Sequence, residues 1–138
     1  MKKLTLLLCL VSLISASSCS NDDGGSSDSL VGTWKAYQYF EDGVEVELNN
    51  CQNEASLAFY SDGTWVSKIY EENFEGECEL DWIETGTWEN KGNGIYKITY
   101  DEDEDYNDLI EFQFEGNTMI IEEEYEDWSY KQVFIKEE

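Results

Sequence analysis

This chain has no histidine, no proline and no arginine, and all eight of its basic residues are lysines. Without histidine it lacks the usual general base, the commonest metal ligand and any Ser-His-Asp triad. The missing proline suits a series of paired strands, because each proline would delete a ladder donor. Positive charge is scarce, with 8 Lys against 32 Asp plus Glu and a net charge of −24. Such a surface repels phosphate backbones, which excludes nucleic acid as a partner, and it gives no electrostatic docking on anionic lipid. The one apolar run, Leu4 to Ile14, is shorter than the roughly 20 residues a membrane helix needs. What is plentiful is aromatic: 5 Trp, 9 Tyr and 6 Phe. The charge alone would argue for disorder, but that many bulky rings argue for a packed core. A length of 138 residues suits one domain.

The first 19 residues are organised differently from the rest. Lys2 and Lys3 precede the apolar run, small residues follow at Ser15 to Ser18, and then comes Cys19, the layout of a secretory signal. Ala16-Ser17-Ser18-Cys19 resembles the cleavage site of bacterial lipoproteins, with Ala16 where that family commonly has leucine. The resemblance implies removal of residues 1–18 and lipidation of Cys19, by diacylglycerol and further acyl chains such as palmitate. The partner it implies is the outer membrane, on its periplasmic or cell-surface face. Residues 19–29 are rich in Gly, Ser and Asp and read as a flexible tether. Asp22 and Asp23 also resemble the export signals of Bacteroidetes surface lipoproteins. The remaining residues, 30–138, form the folded domain.

Cys9 leaves with the leader, so Cys51 and Cys78 remain as an even pair in an oxidising compartment. A disulfide is expected, contributing on the order of 3 kcal/mol. A metal site is the alternative, for which two thiolates without histidine are a poor donor set.

From Leu30 onward the hydrophobic period is close to two. In VGTWKAYQYF, Trp34, Ala36, Gln38 and Phe40 share one phase and Lys35, Tyr37 and Tyr39 the other. Turns at Asp42-Gly43, Asp62-Gly63, Asn93-Gly94 and Gly116-Asn117 punctuate further apolar-alternating segments. No stretch has sustained helical spacing. The reading is all-β, an antiparallel up-and-down barrel of about eight strands that closes to remove its edges.

Gly-Thr-Trp occurs at 32–34, 63–65 and 86–88 and is expected to open strands. Gly permits a sharp turn into a strand, and a tryptophan can plug a barrel while its N–H finds a carbonyl. For Trp65 and Trp88 a core role alone is expected. Gly32-x-Trp34 after a tether resembles the lipocalin and calycin pattern. Together with LAFYSDGTW, GTWENKGNGIYKITY and IEFQFEGNTMIIEE, it makes residues 30–138 similar to small lipocalin-like lipoproteins of Bacteroidetes. Gly32, Trp34, Gly86 and Trp88 are the barrel-motif positions. Lipocalins pack a late arginine over the first tryptophan. With no arginine here, Lys131 and Lys136 are the candidates to take its place by a cation–π contact.

Asp101, Asp103 and Asp105 alternate like the start of a calcium loop, but Tyr106 and Phe112 occupy the positions where that loop needs Gly and Glu. The run reads as a solvated hairpin tip, and no metal site is assigned. No catalytic residues, cofactor motif or phosphate loop are found, and the chain is read as non-enzymatic. The expected function is binding of a small hydrophobic or amphipathic ligand inside the barrel. Phe59, Trp65, Ile98, Phe112, Phe114, Met119 and Phe134 are the candidate lining residues. The alternative is a filled barrel that acts as a surface module for an envelope protein or a glycan, through exposed rings such as Tyr37, Tyr39, Tyr70 and Tyr130. An apolar cavity of about 300 Å³ or more would favour the first reading.

Overall fold

The computed structural model describes residues 27–138. The leader, Cys19 and most of the tether lie outside the described residues. The described residues contain nine strands, in order along the chain: β1 Gly32–Glu41, β2 Val44–Val46, β3 Ser56–Phe59, β4 Thr64–Glu72, β5 Cys78–Gly92, β6 Ile95–Tyr100, β7 Asp103–Glu115, β8 Thr118–Glu124 and β9 Ser129–Lys136. From β3 to β9 each strand pairs antiparallel with the next, and β1 pairs with both β3 and β9. These eight strands close an up-and-down barrel. β2 is a short flap hairpinned to the end of β1. At this strand number the interior is just wide enough to be filled by side chains or to hold one small ligand.

Local sequence sets the corners. Asp42 and Gly43 both have positive φ (48° and 77°), as do Asn93 and Gly94 (56° and 79°). A two-residue turn with both residues at positive φ matches the twist of the strands it joins.

In three places the structure departs from the sequence reading. The register of β1 against β9 shifts between Ala36 and Gln38. The extra residue reverses the phase of the rest of the strand. Tyr39 therefore joins Ala36 on the inner side, while Gln38 bonds the exposed Glu45 and Phe40 meets Lys131. Gly86-Thr87-Trp88 does not open a strand but lies inside the 15-residue β5, whose first half, from Cys78, looks too polar to read as a strand. Much of the acidic run lies within β7, which begins at Asp103.

The core is aromatic. Phe112 meets Phe59 and Tyr96 edge-on at 5.9 and 5.5 Å between centroids, and Trp34 meets Phe114 at 5.8 Å. Such tilted pairs add to area burial. All three repeated tryptophans donate their indole N–H to a backbone carbonyl: Trp34 to Leu30 (2.8 Å), Trp65 to Thr99 (3.1 Å) and Trp88 to Tyr60 (3.0 Å).

Candidate functional site: the barrel interior

The two ends of the barrel differ. At one end Trp34 and Leu30 are fully buried and form a plug with Met119, Phe114 and Phe134. The Lys136 ammonium lies 4.9 Å from the centroid of the Trp34 ring. Asp28 ties the chain ahead of β1 to this end. Its carboxylate accepts hydrogen bonds from the Leu30 N–H (2.9 Å), the Tyr96 hydroxyl (2.7 Å) and the Asn90 amide (2.6 Å). Burial would raise the Asp28 pKa, but the three hydrogen bonds outweigh it and hold the carboxyl below its ordinary range.

Beyond the plug the aromatic core continues and leaves two hollows. A cavity of about 120 Å³ is walled by Phe59, Trp65, Ile98, Tyr100, Phe112 and their aliphatic neighbours. A second hollow of about 260 Å³ lies between Ala36, Tyr39, Ile69 and Gln132 on the strands and Leu48, Gln52 and Ala55 on the β2–β3 connection. The two adjoin in register. Ser67 and Ile69 are successive inward positions on β4, and Ile121 of the first faces Gln132 of the second across β8 and β9. The Cys51–Cys78 disulfide (Cα–Cα 5.2 Å) fixes that connection to the start of β5.

The expected lining residues divide into two groups. Phe59, Trp65, Ile98 and Phe112 wall the smaller cavity. Phe114, Met119 and Phe134 belong to the core around Trp34 and line neither hollow. Trp88 packs edge-on to Phe59 and 6.0 Å from Tyr96. Sequence reading missed Ser67 and Glu84, which face each other across β4 and β5 and line the cavity. The available signal was phase, since each stands two residues from a member of the Trp65–Gly86 pair. Of the expected exposed rings, Tyr37 is exposed, whereas Tyr39 turns into the mouth through the β1 bulge.

Tyrosines and carboxylates surround the mouth. The Tyr100 hydroxyl donates to Asp108 (2.8 Å), and burial followed by that carboxylate raises its pKa well above the ordinary value. Burial and the charge of Glu123 push Tyr130 up to about 12. Glu84 is raised first by burial, then by the charges of Glu102 and Asp108. Outside the mouth, Tyr125 stacks on Trp128 at 4.6 Å, and Trp128 on Tyr130 at 5.6 Å. Among the described residues no lysine lines either hollow.

A closed eight-stranded meander, plugged at one end by a tryptophan that comes two residues after a glycine at the start of β1, defines a lipocalin-type barrel. Residues 30–136 match the family described as Lipocalin-like domain, and the chain belongs to that family. Two solved structures share the fold. One is a lipocalin-like protein from Bacteroides uniformis ATCC 8492, at 19% identity and a TM-score of 0.52, with 78% of this chain and 98% of that one covered. The other is an uncharacterized protein from Bacteroides eggerthii DSM 20697, at 17% identity and a TM-score of 0.52, with 78% and 99% covered. A comparison with curated proteins finds no match.

Proposed function

We propose that this protein is a lipid-anchored, extracytoplasmic, non-enzymatic module that holds a small hydrophobic or amphipathic ligand in the open half of its barrel. The observation supporting this is the asymmetric interior, packed around Trp34 and holding a small cavity beside Trp65 toward the mouth. Sites for drug-sized ligands begin at about 300 Å³, and neither hollow reaches that size. A cavity of about 120 Å³ therefore suits a small molecule, or one end of a longer one that passes out through the mouth. The anchor rests on the leader and Cys19.

Native mass spectrometry after incubation with an envelope lipid extract tests the reading. A bound mass that survives gentle ionisation supports it and identifies the ligand class. A bare mass across repeated extracts turns the assignment to a second reading, a surface module for a protein or glycan. That reading is favoured by the modest cavity and by the exposed stack of Tyr125 and Trp128 beside Tyr130.

A further inference from the structure

Besides the Tyr100 hydroxyl, which donates to Asp108, the smaller cavity has two polar groups on its wall. Ser67 is 8% exposed, and no described residue hydrogen-bonds to its side chain. Its hydroxyl is not a buried orphan but stays accessible from the cavity that Ser67 lines, where a ligand can reach it. Opposite it in the ladder stands Glu84. The surroundings of that carboxylate are rings and further acids: Trp65, Tyr100 and Phe112 share the cavity with it, and Glu102 and Asp108 act on its charge. The described lysines do not compensate it. Lys35 pairs with Glu54 and Glu137, Lys91 with Glu89, Lys131 lies over Phe40 and Lys136 over Trp34. Lys68 and Lys97 sit in the opposite strand phase from Trp65, Ser67 and Ile98.

An uncompensated carboxylate and a free hydroxyl among aromatic walls suit one sign of charge. A ligand carboxylate or phosphate would be repelled and poorly solvated there. An ammonium group gains the Glu84 charge, a hydroxyl acceptor and the negative faces of the rings. We propose that the ligand of this cavity is a small amine with an apolar or aromatic body, its ammonium held between Ser67 and Glu84 and its body against Trp65 and Phe112. The raised pKa of Glu84 is consistent with a site that lacks a cation until one arrives. This inference rests on the ligand-binding reading above and narrows it to one chemical class.

The test titrates the full chain with three probes of similar shape: 2-phenylethylamine, 2-phenylethanol and phenylacetate. Tryptophan fluorescence reports occupancy, because Trp65 is part of the wall. The amine is expected to saturate the signal at a concentration at least tenfold lower than the alcohol, and phenylacetate is expected not to saturate it. Because the whole protein is acidic, E111Q serves as the charge control, since Glu111 is exposed and lies in the outward phase of β7. E84Q should abolish the preference for the amine over the alcohol and E111Q should retain it, both with unchanged thermal midpoints. S67A, which keeps the charge, should weaken the amine several-fold and leave the alcohol unaffected. Equal binding of amine and alcohol, or an equal effect of E84Q and E111Q, overturns the amine assignment and leaves the ligand-binding reading standing. No saturation by any probe also overturns it, whereas the broader reading fails only if the lipid extract returns a bare mass as well.

Discussion

The Lys136 ammonium lies 4.9 Å from the centre of the Trp34 ring, and its stem crosses directly over Gly32. A lysine thus occupies the place that the family resemblance gives to an arginine. Two changes test how much this cap matters. K136M keeps most of the apolar stem and removes the charge, so it should cost about 0.5–1 kcal/mol, the size of a partly exposed cation–π contact. K136A also removes the packed stem and should cost more, about 1–2 kcal/mol. Urea denaturation followed by tryptophan fluorescence reads both. Gly32 has a φ of +144°, which strains any L side chain, and a Cβ there would also displace the end of the Lys136 side chain. G32A should therefore destabilise at least as much as K136A.

Gly86 is essential for a different reason. Its backbone is not in the positive-φ region, so any residue could adopt its conformation. The constraint is space: a Cβ would overlap the Thr99 carbonyl and lie 2.7 Å from the Trp65 indole nitrogen. That nitrogen is the donor to Thr99. G86A should cost about 3 kcal/mol by overpacking and lost hydrogen bonding. It should also red-shift tryptophan emission in the folded state as the Trp65 ring is displaced. An unshifted spectrum and a loss below about 0.5 kcal/mol would show that the sheet relaxes around the new methyl group.

These two glycines show where the sequence was legible. The alternation of apolar residues and the Asp-Gly and Asn-Gly turns determine strand number, order and closure, because each depends on a period of two and a local turn preference. Gly32-x-Trp34 is recognisable for the same reason, being a local pattern. Gly86 is misread as a strand opener because its role lies in a contact with Trp65 on the neighbouring strand. The inner position of Tyr39 depends on a bulge, which reverses phase without leaving a mark in local composition. Ser67 and Glu84 were passed over because polar residues in an apolar phase ordinarily count against a core, and only closure of the barrel brings them together.

Asp28, in the segment read as tether, accepts three hydrogen bonds at the plugged end of the barrel. D28A should leave the buried Tyr96 hydroxyl without its acceptor and cost about 1–3 kcal/mol. The pH dependence has a definite sign. A carboxyl whose folded-state pKa is depressed contributes stability above its unfolded value, near 4, and loses it as pH falls through the folded value. The advantage of the wild type over D28N should therefore be full at pH 5 and above, and should shrink below about pH 4. Denaturation midpoints measured from pH 7 to 3 will show this, and a constant difference across that range would refute it.

The Cys51–Cys78 bond spans 27 residues and ties the β2–β3 connection to β5. In the chain-entropy treatment, opening a loop of that size costs about 3 kcal/mol. Cys51 is 1% exposed while Cys78 is exposed, so C51S also buries a hydroxyl and should be the worse of the two single variants. The connection also forms one wall of the larger hollow. Reduction should therefore increase amide exchange at Gln52–Glu54 before it affects β6 to β9. Uniform acceleration throughout the barrel would mean that the bond staples the whole fold and not one wall.

The proposed anchor gives the last prediction. One acyl chain binds a bilayer only marginally, and a protein so held usually needs a second signal such as a basic patch. This chain has a net charge of −24 and offers no such patch. Membrane retention should therefore depend entirely on multiple acylation at Cys19. In cells given a clickable palmitate analogue, the wild type should be labelled and partition with the outer membrane. C19A should be unlabelled and absent from the outer-membrane fraction, at low salt as well as high. Retention of C19A at low salt alone would reveal an electrostatic contact that the composition argues against. Label on C19A would place the modification on another residue and overturn the assignment of Cys19.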